Sequence, residues 1–542
     1  VNKTEINTAL DIHGQGGIVA NGDISLTARQ IYPNTKTEGT QNSLSFEAIG
    51  ANSKITVNSS GAKAKPVLSA VGTLNLTADD IVQNGVLRAP FGTINLVGKN
   101  SVTLTEGSIT SISADKQTIP YLQTQLIGRE TAPKGQTLPE KSISIKSTKV
   151  DVKNNAVIDL SSSGELFATE FVPGAGGSKN VFTNPNTYAV LPSLGQEYFP
   201  SGDASVGEAV FLTGVDGLAT GNYTLLPASY ALVPGAFMVE ISPVGNKVLP
   251  TESIKQLDGT TFTSGYRTDL ATGARDANWS TFKVTNGAVF RPAKGEISRT
   301  PSQFQLTNLT DFFSNPINTG GQDVPLPTDV GRLSLAASRT LVLDSQVIAN
   351  KGKDSKGNFG DGLQVDISAE KIRVVSSVGA EDGSLQLTTN TINALKADSV
   401  VLGGSVKLEN GVNKITTVAQ TVTIENNSAN AINSPELIVT ALDTLSVKAG
   451  AVIDTGAAAT KPIQKTIETI GNGALLALSS KNDISYSRVG GSAAAANGVL
   501  NVEAGSILKA GNSLVVDATK TTTLASNPIL QNGGTAYFGA NS

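Results

Sequence analysis

At 542 residues the chain exceeds the roughly 250–300 at which one compact core stops growing, so it is either several domains or an elongated repeat. With 41 basic against 45 acidic residues, a net charge of −4 and no run of like charge, it is not built to hold nucleic acid or an anionic membrane surface. The lack of cysteine removes disulfides and thiolate metal sites together, and a patterned 39% hydrophobic content argues against disorder.

No apolar run reaches transmembrane length and no signal peptide opens the chain, which starts at Val1 and reads as a processed or excised piece of something longer. His13, the only histidine, has no second histidine for a metal and no nucleophile phrase near it, so its reading is structural. Alternating phrases follow: Gly22-Asp-Ile-Ser-Leu-Thr-Ala28, then Gly72-Thr-Leu-Asn-Leu-Thr-Ala78, then Gly92-Thr-Ile-Asn-Leu-Val-Gly98. The last two lie 20 residues apart, and the two-residue period is that of strands buried on one face. That spacing leaves no room for a crossover helix. It predicts an all-β fold, a right-handed parallel β-helix of about 20 residues per rung, over 1–164 and again over 331–542. Leu74 and Leu76 would then stack against Ile94 and Leu96, with Asn75 and Asn95 outside. Asp79 and Asp80 fall at a corner and, as neighbours on a strand, point to opposite faces, so they read as solvated rather than as a glycosidase pair.

Residues 165–330 differ. They hold 12 of the 16 Phe, 5 of the 9 Tyr, 13 of the 22 Pro, and the only Trp and Met, Trp279 and Met238. Proline is hard to fit into stacked central strands, so this stretch is expected to be an extra-helical β module with its own core. Three phrases recur in it: Tyr188-Ala-Val-Leu-Pro192, Tyr223-Thr-Leu-Leu-Pro227 and Tyr230-Ala-Leu-Val-Pro234. Each predicts a short strand burying its Tyr, and Pro234-Gly235 suits a type II turn. Trp279 sits in a polar stretch, where a lone indole marks a contact surface, and Arg267 and Arg275 beside it are the candidate hydrogen-bonding partners for a ligand.

From 331 onward the alternating phrases return at Gly331, Gly362 and Gly383. Asp354, Asn358 and Asp361 in "DSKGNFGDG" are calcium candidates whose spacing matches neither an EF-hand nor a Gly-Asp nonapeptide array. No catalytic residue, resident metal or cofactor is expected.

The blocks "LFATEFVPGAGGSKNVF" (166–182), "YAVLPSLGQEYFP" (188–200) and "YTLLPASYALVPGAF" (223–237), with the alternating phrases on either side, resemble the filamentous haemagglutinin family of giant bacterial exoproteins. The resemblance implies a non-enzymatic, surface-displayed or released adhesin, exported through an outer-membrane two-partner transporter, whose partners are cell-surface or matrix glycans or other cells' surface proteins. That family's amino-terminal export domain carries an Asn-Pro-Asn phrase. Here Asn184-Pro185-Asn186 lies mid-chain and reads as a turn. The competing readings are a polysaccharide lyase or hydrolase on the same scaffold, and the stalk of a toxin-delivery filament.

Overall fold

The computed structural model describes residues 3–34, 42–124, 138–173, 177–196, 208–241, 248–270, 272–291, 302–456, 466–480, 483–492, 496–531 and 534–539. The chain is all-β, 52% strand and 6% helix, in many sheets that are mostly parallel. Its largest sheet has 15 strands and is assembled from the alternating phrases. Thr73–Asn84 pairs in parallel with Thr93–Leu104, so that Leu74 faces Ile94 and Leu76 faces Leu96. The spacing seen between the two phrases is therefore a ladder spacing. Ser142–Val152, Arg332–Leu343 and Gln364–Ser368 continue the register, giving one column of Ile94, Ile143, Leu333 and Val365 and another of Leu96, Ile145, Leu335 and Ile367. All eight are 0% exposed, as the two-residue period requires of the inward positions. On the opposite face Asn95 donates to Asn75 at 2.8 Å and Asn75 to Ser45 at 3.0 Å, a polar ladder along the strand stack.

A second parallel sheet takes the short segments that follow, including Val86–Arg88, Ile109–Ser111, Val157–Asp159 and Gln346–Ile348. At the corner after Gly98 the register slips, and a Cβ there would lie 2.5 Å from the Ser101 carbonyl, which is why glycine occupies it. One hydrophobic cluster follows these sheets from Ile24 to Ala518.

Ser142 pairs directly with Arg332, so the large sheet continues without the residues from 165 to 330. Those residues build other sheets. Glu165–Phe171 lies between Thr118–Thr124 and an antiparallel Phe304–Asn308, and an eight-stranded antiparallel sheet takes its strands from Thr187 to Asn286. Two of the tyrosine phrases begin in strands, Thr187–Val190 and Gly221–Thr224. The third does not: Tyr230 lies in a 3-10 turn, Ala228–Leu232, because it follows the Leu226–Pro227 strand at once and Pro227 has no N–H with which to extend a ladder. Tyr230 is nevertheless 2% exposed, packed with Met238, Phe290 and Phe304, and its hydroxyl donates to the Leu68 carbonyl at 2.7 Å. That bond ties the aromatic core to the connection between the Lys54–Ser59 and Thr73–Asn84 strands. Gly235 (φ 79°) takes the left-handed position that a Pro-Gly type II turn needs, and Asn184-Pro185-Asn186 is a turn with Asn186 at φ 61°.

The 331–542 segment is less uniform than its phrases suggest. Ala474–Ser479 runs antiparallel to both of its neighbours in the large sheet, Glu436–Ala441 and Ser513–Ala518. All three strands are buried on both faces, so they do not alternate. A four-stranded sheet, Gly404–Glu409, Val412–Thr417, Thr466–Ile470 and Ser485–Val489, supplies the cover, packing Val406, Ile415 and Ile467 against Val401, Ile438, Leu475 and Val515. Among the described residues no helix is long and apolar enough to cross a membrane.

Candidate ligand-binding face

In the eight-stranded sheet the strands Glu208–Leu212 and Thr261–Asp269 are antiparallel neighbours. Cross-strand partners share a face. Val210 pairs with Arg267 and Leu212 with Gly265, and this side carries the buried cluster of Val210, Leu212, Phe282 and Val284. Phe211 pairs with Tyr266 on the other side, and Asn222 extends the row beyond Phe211. The Phe211 and Tyr266 rings are stacked, 4.8 Å apart and 7° from parallel. Gly265 pairs with Ser280, which brings Trp279 to the far end of the same row. Its indole stands 5.4 Å from Tyr266 and 6.0 Å from Phe211, nearly perpendicular to both, so it bridges their edges instead of covering either ring. Trp279 remains 40% exposed. The outcome is a row of three aromatic rings on a sheet face.

The two arginines expected beside Trp279 are separated by strand parity. Arg275 bridges to Thr268, a residue of the Tyr266 face, and its guanidinium lies 5.3 Å from the Tyr266 ring centroid. It holds Tyr266 by a cation–π contact and carries its N–H donors to the rim of the row. Arg267 is on the opposite face, ion-paired with Glu208 at 2.5 Å. It is not part of the aromatic row. Asp276, the neighbour of Arg275, accepts from the Arg267 backbone N–H at 3.2 Å.

Phe211 and Tyr266 are not singled out by the sequence reading, although Phe211 carries a signal. In Glu208-Ala-Val-Phe-Leu212 the aliphatics Val210 and Leu212 are in one phase and Phe211 in the other, which marks an aromatic outside the aliphatic core.

The calcium candidates do not converge. Asp354 Oδ1 accepts from the backbone N–H of Lys356 at 2.9 Å and of Asn358 at 2.7 Å, and Oδ2 accepts from the Asn358 amide at 2.9 Å. The Asn358 side-chain bond is the largest of the effects holding the Asp354 carboxyl below its usual range. Asp361 belongs to a different site, its backbone N–H donating to Asp329 at 2.8 Å. Among the described residues no group of three or more His, Cys, Asp or Glu is arranged to hold a metal ion. The corner pair is similarly engaged: Asp79 accepts from the Asn52 N–H at 2.7 Å, and Asp80 from the Ser101 hydroxyl. His13 packs on Tyr32, 5.4 Å between centroids, and burial outweighs the nearby Asp11 charge to lower its pKa to about 4.

No protein-family model, curated protein or solved structure matches the chain.

Proposed function

We propose that the chain is a stiff, non-enzymatic segment of an extracellular attachment protein of the filamentous haemagglutinin kind, in which the parallel sheets close into a right-handed β-helix and the 165–330 module meets the ligand. The observation that carries this reading is the row Phe211, Tyr266 and Trp279, set on a sheet face away from the aliphatic core with Arg275 at its rim. Sugar rings present C–H faces that stack on indole and phenol rings, and their hydroxyls accept from a guanidinium at the edge. The β-helix closure is supported by the alternation along the chain, in which strands of the 15-stranded sheet are followed by segments of a second parallel sheet, and by the in-register aliphatic columns. Such a stack gives length and stiffness with backbone pairing alone, a suitable support for a module held away from a cell. Export through an outer-membrane partner is part of the same reading.

The test is a glycan array and a cell-attachment assay with the whole chain, read beside Trp279→Ala. Attachment that depends on Trp279 supports the reading. Attachment that is unchanged in the variant moves the adhesive surface to the parallel stack, and turnover of a polysaccharide in the same incubation overturns the non-enzymatic reading.

A further inference from the structure

Seven Asn-Gly pairs stand in the sequence, and the described residues include six of them, beginning at Asn21, Asn84, Asn286, Asn410, Asn472 and Asn497. Such a pair is the step of a chain most open to spontaneous loss of ammonia. The backbone nitrogen of the glycine, once deprotonated, attacks the asparagine Cγ, and with no side chain on the glycine that approach is unhindered. A nitrogen whose proton is held in a hydrogen bond is kept from the attack.

Five of the six described pairs are held in that way. The Gly22 N–H donates to the Ile49 carbonyl at 2.9 Å, Gly287 to the Ala236 carbonyl at 2.9 Å and Gly498 to the Asp443 carbonyl at 3.1 Å. The Gly85 N–H donates to the Gln83 side-chain oxygen at 2.8 Å, and Gly473 to the Thr519 hydroxyl at 3.1 Å. Four of the asparagines are engaged as well. Asn84 accepts from the Thr105 hydroxyl at 2.8 Å, Asn286 from the Ala288 N–H at 2.9 Å and Asn472 from the Ser492 N–H at 2.9 Å, while Asn497 donates to Asp443 at 3.3 Å.

Asn410-Gly411 is the exception. It is the tip of the hairpin between Gly404–Glu409 and Val412–Thr417, with φ of 52° and 76°, the pair of left-handed residues that a two-residue turn demands. The ladder closes at the Glu409–Val412 pair, which leaves the Gly411 N–H outside it. Among the described residues neither that N–H nor the Asn410 side chain makes a hydrogen bond, and Asn410 is exposed. Attack on Cγ needs Asn410 to leave its left-handed state, and no hydrogen bond of the tip itself holds it there.

The reaction takes in one water and gives out one ammonia. The Gly411 nitrogen bonds to Asn410 Cγ as the side-chain nitrogen leaves, and water then opens the resulting cyclic imide at either carbonyl. One opening yields aspartate. The other yields isoaspartate, whose backbone runs through Cβ and is longer by one methylene. Both products place a carboxylate beside Glu409, which already holds Lys407 at 2.7 Å and Lys414 at 3.1 Å. The lengthened tip bears on a hairpin that covers part of the core, since Val406 and Ile415 pack against Val401 and Ile438.

We propose that Asn410 is a deamidation site of the folded chain, converting to aspartate and isoaspartate ahead of the other described Asn-Gly pairs and loosening the 404–417 hairpin as it does so. The site is separate from the aromatic row and does not depend on it.

The experiment is incubation of the whole chain in mildly alkaline buffer at physiological temperature, with peptide mapping by mass spectrometry at intervals and isoaspartate counted by enzymatic methyl transfer. The expected result is a mass gain of about 1 Da at Asn410, with isoaspartate at that position, appearing several times faster than at Asn21, Asn84, Asn286, Asn472 or Asn497. In denaturant, where no N–H is held, the six should react at similar rates. Asn410→Gln should remove the early product with an unchanged circular dichroism spectrum. Hydrogen exchange across 404–417 should quicken in the aged chain and not in the aged variant. Earlier reaction at any of the other five, no reaction at Asn410, or the same preference for Asn410 in denaturant would each overturn the site, and unchanged exchange in the aged chain would overturn the loosening.

Discussion

Leu96 and Val97 are chain neighbours with opposite fates, and substituting each by aspartate tests the two-residue period directly. Leu96 is 0% exposed and lies in register between Leu76 on one side and Ile145 on the other, while Val97 is 37% exposed on the outer face. Truncating a buried leucine costs about 2–5 kcal/mol, set by how far the site can collapse. Collapse is restricted here because both neighbouring strands are held at ladder spacing by backbone hydrogen bonds, so Leu96→Ala belongs in the upper half of that range. Leu96→Asp adds a buried carboxylate with no partner, several kcal/mol more. Val97→Asp changes only a surface position, worth within about 0.5 kcal/mol. Because a chain this long need not melt in one step, the measurement is hydrogen exchange across the 73–104 strands, which reports local opening. Leu96→Asp should abolish slow exchange there and Val97→Asp should preserve it. Equal protection in the two variants would refute the stacked-column account.

His13 is the sole histidine, so its titration is a single resonance in selectively labelled protein and should show a midpoint near 4 instead of the ordinary 6.5. Since the folded protein disfavours the charged ring, stability should rise with pH between about 4 and 6.5, and a midpoint above 6 would contradict the packing on Tyr32. Burial lowers Lys141 to about 8, the Asp329 charge acting against it, so the unfolded chain binds the extra proton between about 8 and 10.5. Stability should therefore gain up to about 1.4 kcal/mol per pH unit from this group across that window, and Lys141→Met should remove that slope. A slope unchanged in the variant would place the charge elsewhere.

The parts of this molecule legible in its sequence are those governed by local period. The strand pairing of the 72–78 and 92–98 phrases follows from a repeat that anyone can read, because parallel stacking converts identity at a fixed spacing into spatial adjacency. The aromatic and proline excess of 165–330 likewise marks a region that the large sheet omits. Tyr230 shows the limit: its phrase matches two strand-forming copies, yet abutting Pro227 turns it into a 3-10 segment that still buries the ring. Ala474–Ser479 shows another, since a strand apolar on both faces carries no phase from which its direction could be read. Arg267 was grouped with Trp279 by closeness in sequence, whereas strand parity sends it through to the other face.

The most direct test of the account compares the affinity of Trp279→Ala and Arg267→Ala for whatever glycan the whole chain retains on an array. An aromatic that acts as a contact hot spot is worth 1 kcal/mol or more, about fivefold in affinity or greater. The account predicts that loss for Trp279→Ala, with an unchanged melting profile, and no loss for Arg267→Ala, whose side chain faces away from the row. Equal losses in both, or a loss confined to Arg267→Ala, would contradict it.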